Sequence, residues 1–120
     1  MAAKEQTLTR LLAAVEGIEA GAAENVERSL EIQRRVRDLR ESLERGEALV
    51  DIVRREERPR VVELLSTNMA TLETVGAELR AAVALALRAE GLTIEAIAEL
   101  FGVTRQRISA LLRQKAALEH

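Results

Sequence analysis

The 120-residue chain contains no cysteine, one histidine and one aromatic residue, and these shortages exclude several kinds of site. Without cysteine, neither a disulfide framework nor a thiolate zinc site can form. The only histidine closes Leu118-Glu119-His120, which resembles the start of a purification tag. No glycine-rich phosphate loop or catalytic cluster is evident. We therefore expect no enzyme activity, no metal and no other cofactor.

Long apolar runs are also missing. No stretch approaches the ~20 apolar residues that span a bilayer, and the first residues lack a signal-peptide pattern, so we expect a cytoplasmic protein without a membrane partner. There is a single proline, 32% of the residues are charged, and leucine, alanine, valine and isoleucine supply most apolar side chains. This composition is typical of long amphipathic helices and predicts an all-α fold.

Heptad spacing of apolar residues predicts one long helix over residues 4–57. The a positions of the frame are Leu8, Val15, Ala22, Ser29, Val36, Leu43 and Val50. The d positions are Leu11, Ile18, Asn25, Ile32, Leu39, Gly46 and Val53. Gly17 and Gly21 favour either a bend near residues 20–24 or the close approach of another helix, since glycine weakens a helix but occupies little space.

The Arg58-Pro59 pair predicts a boundary, because proline suits the first position of a helix. A second helix should run from Pro59 to Glu90 and form an antiparallel hairpin with the first, in which residue i lies beside about residue 116 − i. This register leaves one apolar group without an intrachain neighbour: Leu8, Leu11, Leu12, Val15 and Ile18. Either the N-terminal segment folds back at Gly21, or these residues form a dimer interface, which we favour.

Residues 92–113, LTIEAIAELFGVTRQRISALLR, have the spacing of a helix-turn-helix. Small Ala98 is predicted where the two helices touch, Gly102 at a turn that needs φ > 0, and Thr104 at the cap of the second helix. The inward positions should be Val103, Ile108 and Leu111. We predict a long hairpin or coiled coil for dimerisation over residues 1–78 and a DNA-binding unit over residues 79–115, with residues 79–90 as its supporting helix.

The charge distribution favours DNA binding by this segment. The chain carries a net charge of −2, but residues 104–115 contain four basic side chains and no acidic one. Basic groups without acids are expected where a protein meets phosphates. The predicted DNA-binding residues are Thr93, Thr104, Arg105, Gln106, Arg107, Ser109, Arg113 and Lys115. The alternative is an amphipathic helix pair that serves packing alone.

The segment LTIEAIAELFGVTRQRIS resembles the helix-turn-helix with which bacterial primary sigma factors read the upstream promoter element. The resemblance covers about a quarter of the chain and implies that Thr104 approaches a phosphate and Arg105 a guanine. Gln106, Ser109 and Ala110 depart from the family pattern, which implies a different base preference. A sigma factor also needs aromatic side chains to open a promoter, and the chain has only Phe101.

Two functions follow from these features. The first is a sequence-specific transcriptional regulator that binds double-stranded DNA as a homodimer. The second is an adaptor whose long helices bind RNA polymerase or a sigma factor without reading DNA. The basic, acid-free segment favours the first function.

Overall fold

The computed structural model describes the backbone of residues 2–118 and the side chains of residues 4–113. Over this span the chain contains helices and turns but no strand, which confirms the all-α prediction. None of the described helices is long and apolar enough to cross a membrane. The helices are α1 (Ala2–Glu44), α2 (Leu49–Arg55), α3 (Val61–Ala89), α4 (Ile94–Phe101) and α5 (Arg105–Leu118).

Helix α1 is continuous through Gly17 and Gly21, so a fold-back at Gly21 is wrong, whereas a bend near residues 20–24 stays a prediction. The other role considered for these glycines, the close approach of a second helix, fits Gly17. A Cβ atom built at Gly17 would lie 3.9 Å from Cγ1 of Val75 on α3. The Val75 side chain therefore lies directly over the α1 backbone at this point.

Helix α1 ends at Glu44, so the prediction of one helix through residue 57 is also wrong. Gly46 has φ of 84°, a left-handed conformation that ends a helix and that glycine adopts without strain. The Glu47 N–H then donates to the Ser42 carbonyl at 3.1 Å, which satisfies one of the last free carbonyls of α1. The apolar heptad continues beyond this glycine, but it belongs to the separate helix α2.

Two side chains hold the connection from α2 to α3. Glu56 Oε1 accepts from the Val61 N–H at 2.6 Å and so caps α3, which begins at Val61 and not at Pro59. Arg35 Nη1 donates to the carbonyls of Glu57 and Pro59, at 2.9 and 2.8 Å. These contacts tie the connection to α1.

Contacts divide the chain into two compact units. Residues 20–73 form one of them. Residues up to Glu19 join those from Thr74 onward in the other. Each unit thus combines part of α1 with part of α3, while the predicted division at residue 78 stays a prediction.

The predicted lack of an intrachain neighbour for the N-terminal apolar residues is wrong, because the first part of α1 belongs to the same unit as the second half of α3. Leu11 and Ile18 are half-buried. Leu8 and Val15 nevertheless keep 55% and 41% of their surface exposed. Packing against α3 therefore covers part of this apolar group, and Leu8 and Val15 remain as an exposed apolar edge.

The covered face of α1 differs from the predicted one. Within α1 the predicted d positions, from Leu11 to Leu39, are at least partly covered, whereas the predicted a positions, such as Val15 and Val36, are exposed. Along α1, the residue directly before each of these a positions is covered instead, and it is small or polar. The covered face recurs at spacings of three and four residues and contains Leu11, Ala14, Ile18, Gly21, Asn25, Arg28, Ile32, Arg35, Leu39 and Ser42.

A polar cluster in the unit formed by residues 20–73 fixes the register of α1 against α3. Asn25, only 9% exposed, donates from Nδ2 to the Asn68 carbonyl at 3.2 Å. Arg28 Nη1 donates to Oδ1 of Asn25 at 3.2 Å and to Oδ1 of Asn68 at 2.9 Å. The predicted register placed Asn25 beside residue 91. It was wrong because the chain reverses near Gly46 and not near Arg58, so that Arg55 of α2 already contacts Ser42 of α1.

Candidate nucleic-acid interface

The last turns of α3 pack with α4 and α5 around a separate hydrophobic core. Ile97 and Ile108 are fully buried, together with Ala84 of α3 and the nearly buried Ala98. Ala84 belongs to the segment predicted as the supporting helix, and Ala98 is the predicted small contact residue. Half-buried side chains complete the core: Leu87, Leu92, Ile94, Phe101, Leu111 and Leu112. These contacts fix α5 on α3 and α4.

The turn between α4 and α5 has the predicted geometry. Gly102 has φ of 68° and ψ of 33°, so it adopts the left-handed conformation that its position requires. The following residue, Val103, donates its N–H to the Ala98 carbonyl at 3.1 Å and closes the turn. Val103 was predicted to face inward but is 37% exposed, because it lies in the turn and not on a helix.

Threonine hydroxyls cap both helices of the motif. Thr93 Oγ1 accepts from the Ala96 N–H at 3.1 Å at the start of α4. Thr104 Oγ1 accepts from the Arg107 N–H at 3.2 Å at the start of α5, which confirms the predicted cap. Each cap satisfies one donor of a first helical turn and fixes the point at which the helix begins.

Most of the predicted DNA-binding side chains are open to solvent. Arg105, Gln106 and Arg107 form the exposed first turn of α5, and Ser109 is half-buried. Thr93, Thr104 and Arg113 are exposed as well. Lys115 belongs to α5, but its side chain lies outside the described residues. The structure thus brings the first turn of α5 and its threonine cap together on one accessible surface.

An ion pair that the sequence analysis missed joins the first turns of α4 and α5. Arg105 Nη1 lies 2.9 Å from Glu95 Oε1, and the two side chains are 63% and 60% exposed. The sequence signal was available: both residues follow a threonine cap within two positions, and a tight turn brings such helix starts close together. Glu95 therefore belongs to the candidate interface.

The described residues hold no group of three or more side chains suited to bind a metal. The candidate site consists of a capped basic helix start, one acid beside it and a buried core beneath it. Such a surface can donate hydrogen bonds to anions or to base edges.

The chain gave no significant match to a curated protein. It gave none to a solved structure either. The resemblance to sigma factors is not confirmed. Residues 74–117 match the family model described as Homeodomain-like domain, which supports a helix-turn-helix DNA-binding protein.

Proposed function

We propose that the chain is a sequence-specific DNA-binding regulator of transcription, without enzyme activity, that acts in the cytoplasm as a homodimer. The observation that carries this proposal is the first turn of α5. It exposes Arg105, Gln106 and Arg107, is capped by Thr104, and rests on the fully buried Ile108. In a helix-turn-helix this turn enters the major groove and contacts base edges.

Electrostatics support the same role. The described part of α5 from Arg105 to Arg113 contains three arginines and no acid, whereas the chain as a whole is acidic. Its positive side chains can attract phosphates locally, while the acidic remainder limits binding elsewhere on the surface. Such a charge distribution suits a protein that must dissociate readily from DNA of unrelated sequence.

Selection of bound duplexes from random DNA tests the proposal. We expect one enriched sequence, with two palindromic half-sites separated by one helical turn of about 34 Å or a multiple of it. An unenriched pool, at a protein concentration where the fold is intact, would contradict sequence-specific binding.

The salt dependence of binding should reveal the phosphate contacts. Each contact contributes a slope of about −0.9 to log affinity against log salt concentration. Replacing Arg113 with alanine should make the slope less negative by about one unit and leave sequence preference unchanged. Arg54→Ala removes an equal charge from α2 and serves as the control. If both variants give the same slope as the original chain, Arg113 does not face DNA.

The homodimer is proposed through Leu8 and Val15, because Leu11 and Ile18 of the predicted interface lie on the covered face of α1. The exposure of Leu8 and Val15 supports it, since apolar surface beside a helix pair is often covered by a second copy. We expect light scattering to give twice the chain mass of 13.2 kDa at micromolar concentration. Val15→Glu should yield a monomer with unchanged helix content.

Met69→Glu is the matched control for this dimer prediction, because Met69 is 72% exposed on α3. If Met69→Glu dissociates the dimer and Val15→Glu does not, the interface lies on α3. A monomer at every concentration would remove the dimer from the proposal.

The adaptor function is the second candidate, and an apolar stripe on α3 favours it. Its members lie three or four residues apart and are 46% to 72% exposed: Val62, Leu65, Met69 and Leu72. A partner such as RNA polymerase or a sigma factor could cover this stripe. In that case the protein would bind the partner in the absence of DNA, and selection from random duplexes would fail.

A further inference from the structure

The Glu95–Arg105 pair lies where a helix-turn-helix approaches DNA. Glu95 is the second residue of α4, two residues after Thr93, and Arg105 is the first residue of α5, directly after Thr104. Both side chains are more than half exposed, so a ligand can reach either one. The 2.9 Å contact joins one guanidinium nitrogen to one carboxylate oxygen.

The contact leaves most of the guanidinium available. Arginine has five N–H donors, and the single contact through Nη1 occupies one of them. The remaining donors can still form the paired hydrogen bonds that recognise guanine O6 and N7. At the same time, the carboxylate restricts the flexible side chain of Arg105 to fewer orientations, which lowers the entropy lost on binding.

A contact between Arg105 and a DNA phosphate would affect the ion pair differently from a contact with a base. To reach a phosphate away from this position, Arg105 would leave Glu95 and expose an uncompensated carboxylate beside the negative backbone of DNA. Like charges placed together disfavour a wrong partner. Glu95 therefore disfavours phosphate contacts by Arg105 more strongly than it disfavours base contacts.

We propose that Glu95 is a positioning residue that holds Arg105 for base reading and lowers affinity for non-specific DNA. This inference rests on the proposed function, since it assumes that α5 enters the major groove. Glu95 is thus a determinant of specificity, although it reads no base itself.

The test compares Glu95→Gln with Glu99→Gln. Both substitutions remove one negative charge from an exposed position of α4, and only the first removes the partner of Arg105. Affinity is measured for the duplex selected by the original chain and for a scrambled duplex. We expect Glu95→Gln to lower the ratio of the two affinities by about two- to fivefold, the upper range for an exposed ion pair. Glu99→Gln should raise both affinities alike.

A double variant separates positioning from simple charge removal. In an Arg105→Ala background, Glu95→Gln should no longer change the ratio, because there is no guanidinium left to hold. An effect of equal size in both backgrounds would overturn the inference. Circular dichroism should show the same helix content for all variants.

The outcomes distinguish the two proposals. If the original chain selects no sequence, the proposed function fails and the inference fails with it. If the original chain selects a sequence but Glu95→Gln and Glu99→Gln give the same ratio, only the inference fails. A plain surface ion pair would give this second result, since exposed pairs contribute little.

Discussion

Ile108→Ala should lower the free energy of unfolding of the helix-turn-helix unit by about 2–5 kcal/mol, the range for truncating a buried isoleucine to alanine. Ile108 is fully buried and packs in one cluster with Ala84 and Ile97. The truncation leaves a cavity among these side chains, and the cost within this range depends on how far the half-buried side chains around it relax inward. The substitution should also weaken DNA binding, because Ile108 anchors the helix that carries Arg105.

Urea denaturation followed by circular dichroism provides the measurement. The midpoint should fall while the slope of the transition stays the same. Leu100→Ala is the matched control, since Leu100 is 68% exposed on α4 and its loss should change stability by no more than about 0.5 kcal/mol. Equal midpoints for the two variants would show that Ile108 does not anchor α5.

Arg105→Ala should cost about 1–3 kcal/mol of binding free energy on the selected duplex and little on scrambled DNA. Arg105 starts α5, where a long side chain can reach a guanine and make two hydrogen bonds. Folding should be almost unaffected, because the ion pair with Glu95 is exposed and such pairs contribute at most about 1 kcal/mol. The measurement is the affinity for both duplexes at one salt concentration.

Arg113→Ala is the comparison for Arg105→Ala. Arg113 lies two turns further along α5, is exposed, and is predicted to contact phosphates, so its loss should weaken binding to both duplexes alike. If Arg105→Ala behaves in the same way, Arg105 contacts the backbone. The base-reading role would then pass to Gln106 or Arg107.

The helix-turn-helix could be predicted from the sequence because its signals are local. Gly102 is needed for a left-handed turn, Thr104 for a cap, and Ala98 and Ile108 for a compact core, and each acts within a few residues of its own position. Short-range interactions therefore determine the structure of the helix-turn-helix. The contact between Glu95 and Arg105 joins two helices, and it depends on how the turn orients them.

The long helices were predicted less well, because their packing does not follow hydrophobicity alone. Ala14, Gly21 and Ser42 are buried since they are small, whereas the larger Val15 beside Ala14 is exposed. Arg28 and Arg35 lie on the same covered face because their guanidinium groups bind carbonyl or amide oxygens across from α1. A frame that counts only apolar residues cannot identify such positions. The left-handed Gly46 then shortened α1 and changed its register.

The Asn25, Arg28 and Asn68 cluster has a consequence for how the chain can change over evolution or in the laboratory. A buried polar group is often no more stabilising than an apolar side chain of similar size, yet it can restrict a helix pair to one alignment. Selection for melting temperature alone would favour leucine at these positions. Such a protein could gain heat resistance and lose its single alignment, since leucines pair equally well one heptad away. We therefore expect thermal tolerance and structural uniqueness to change independently at these three positions.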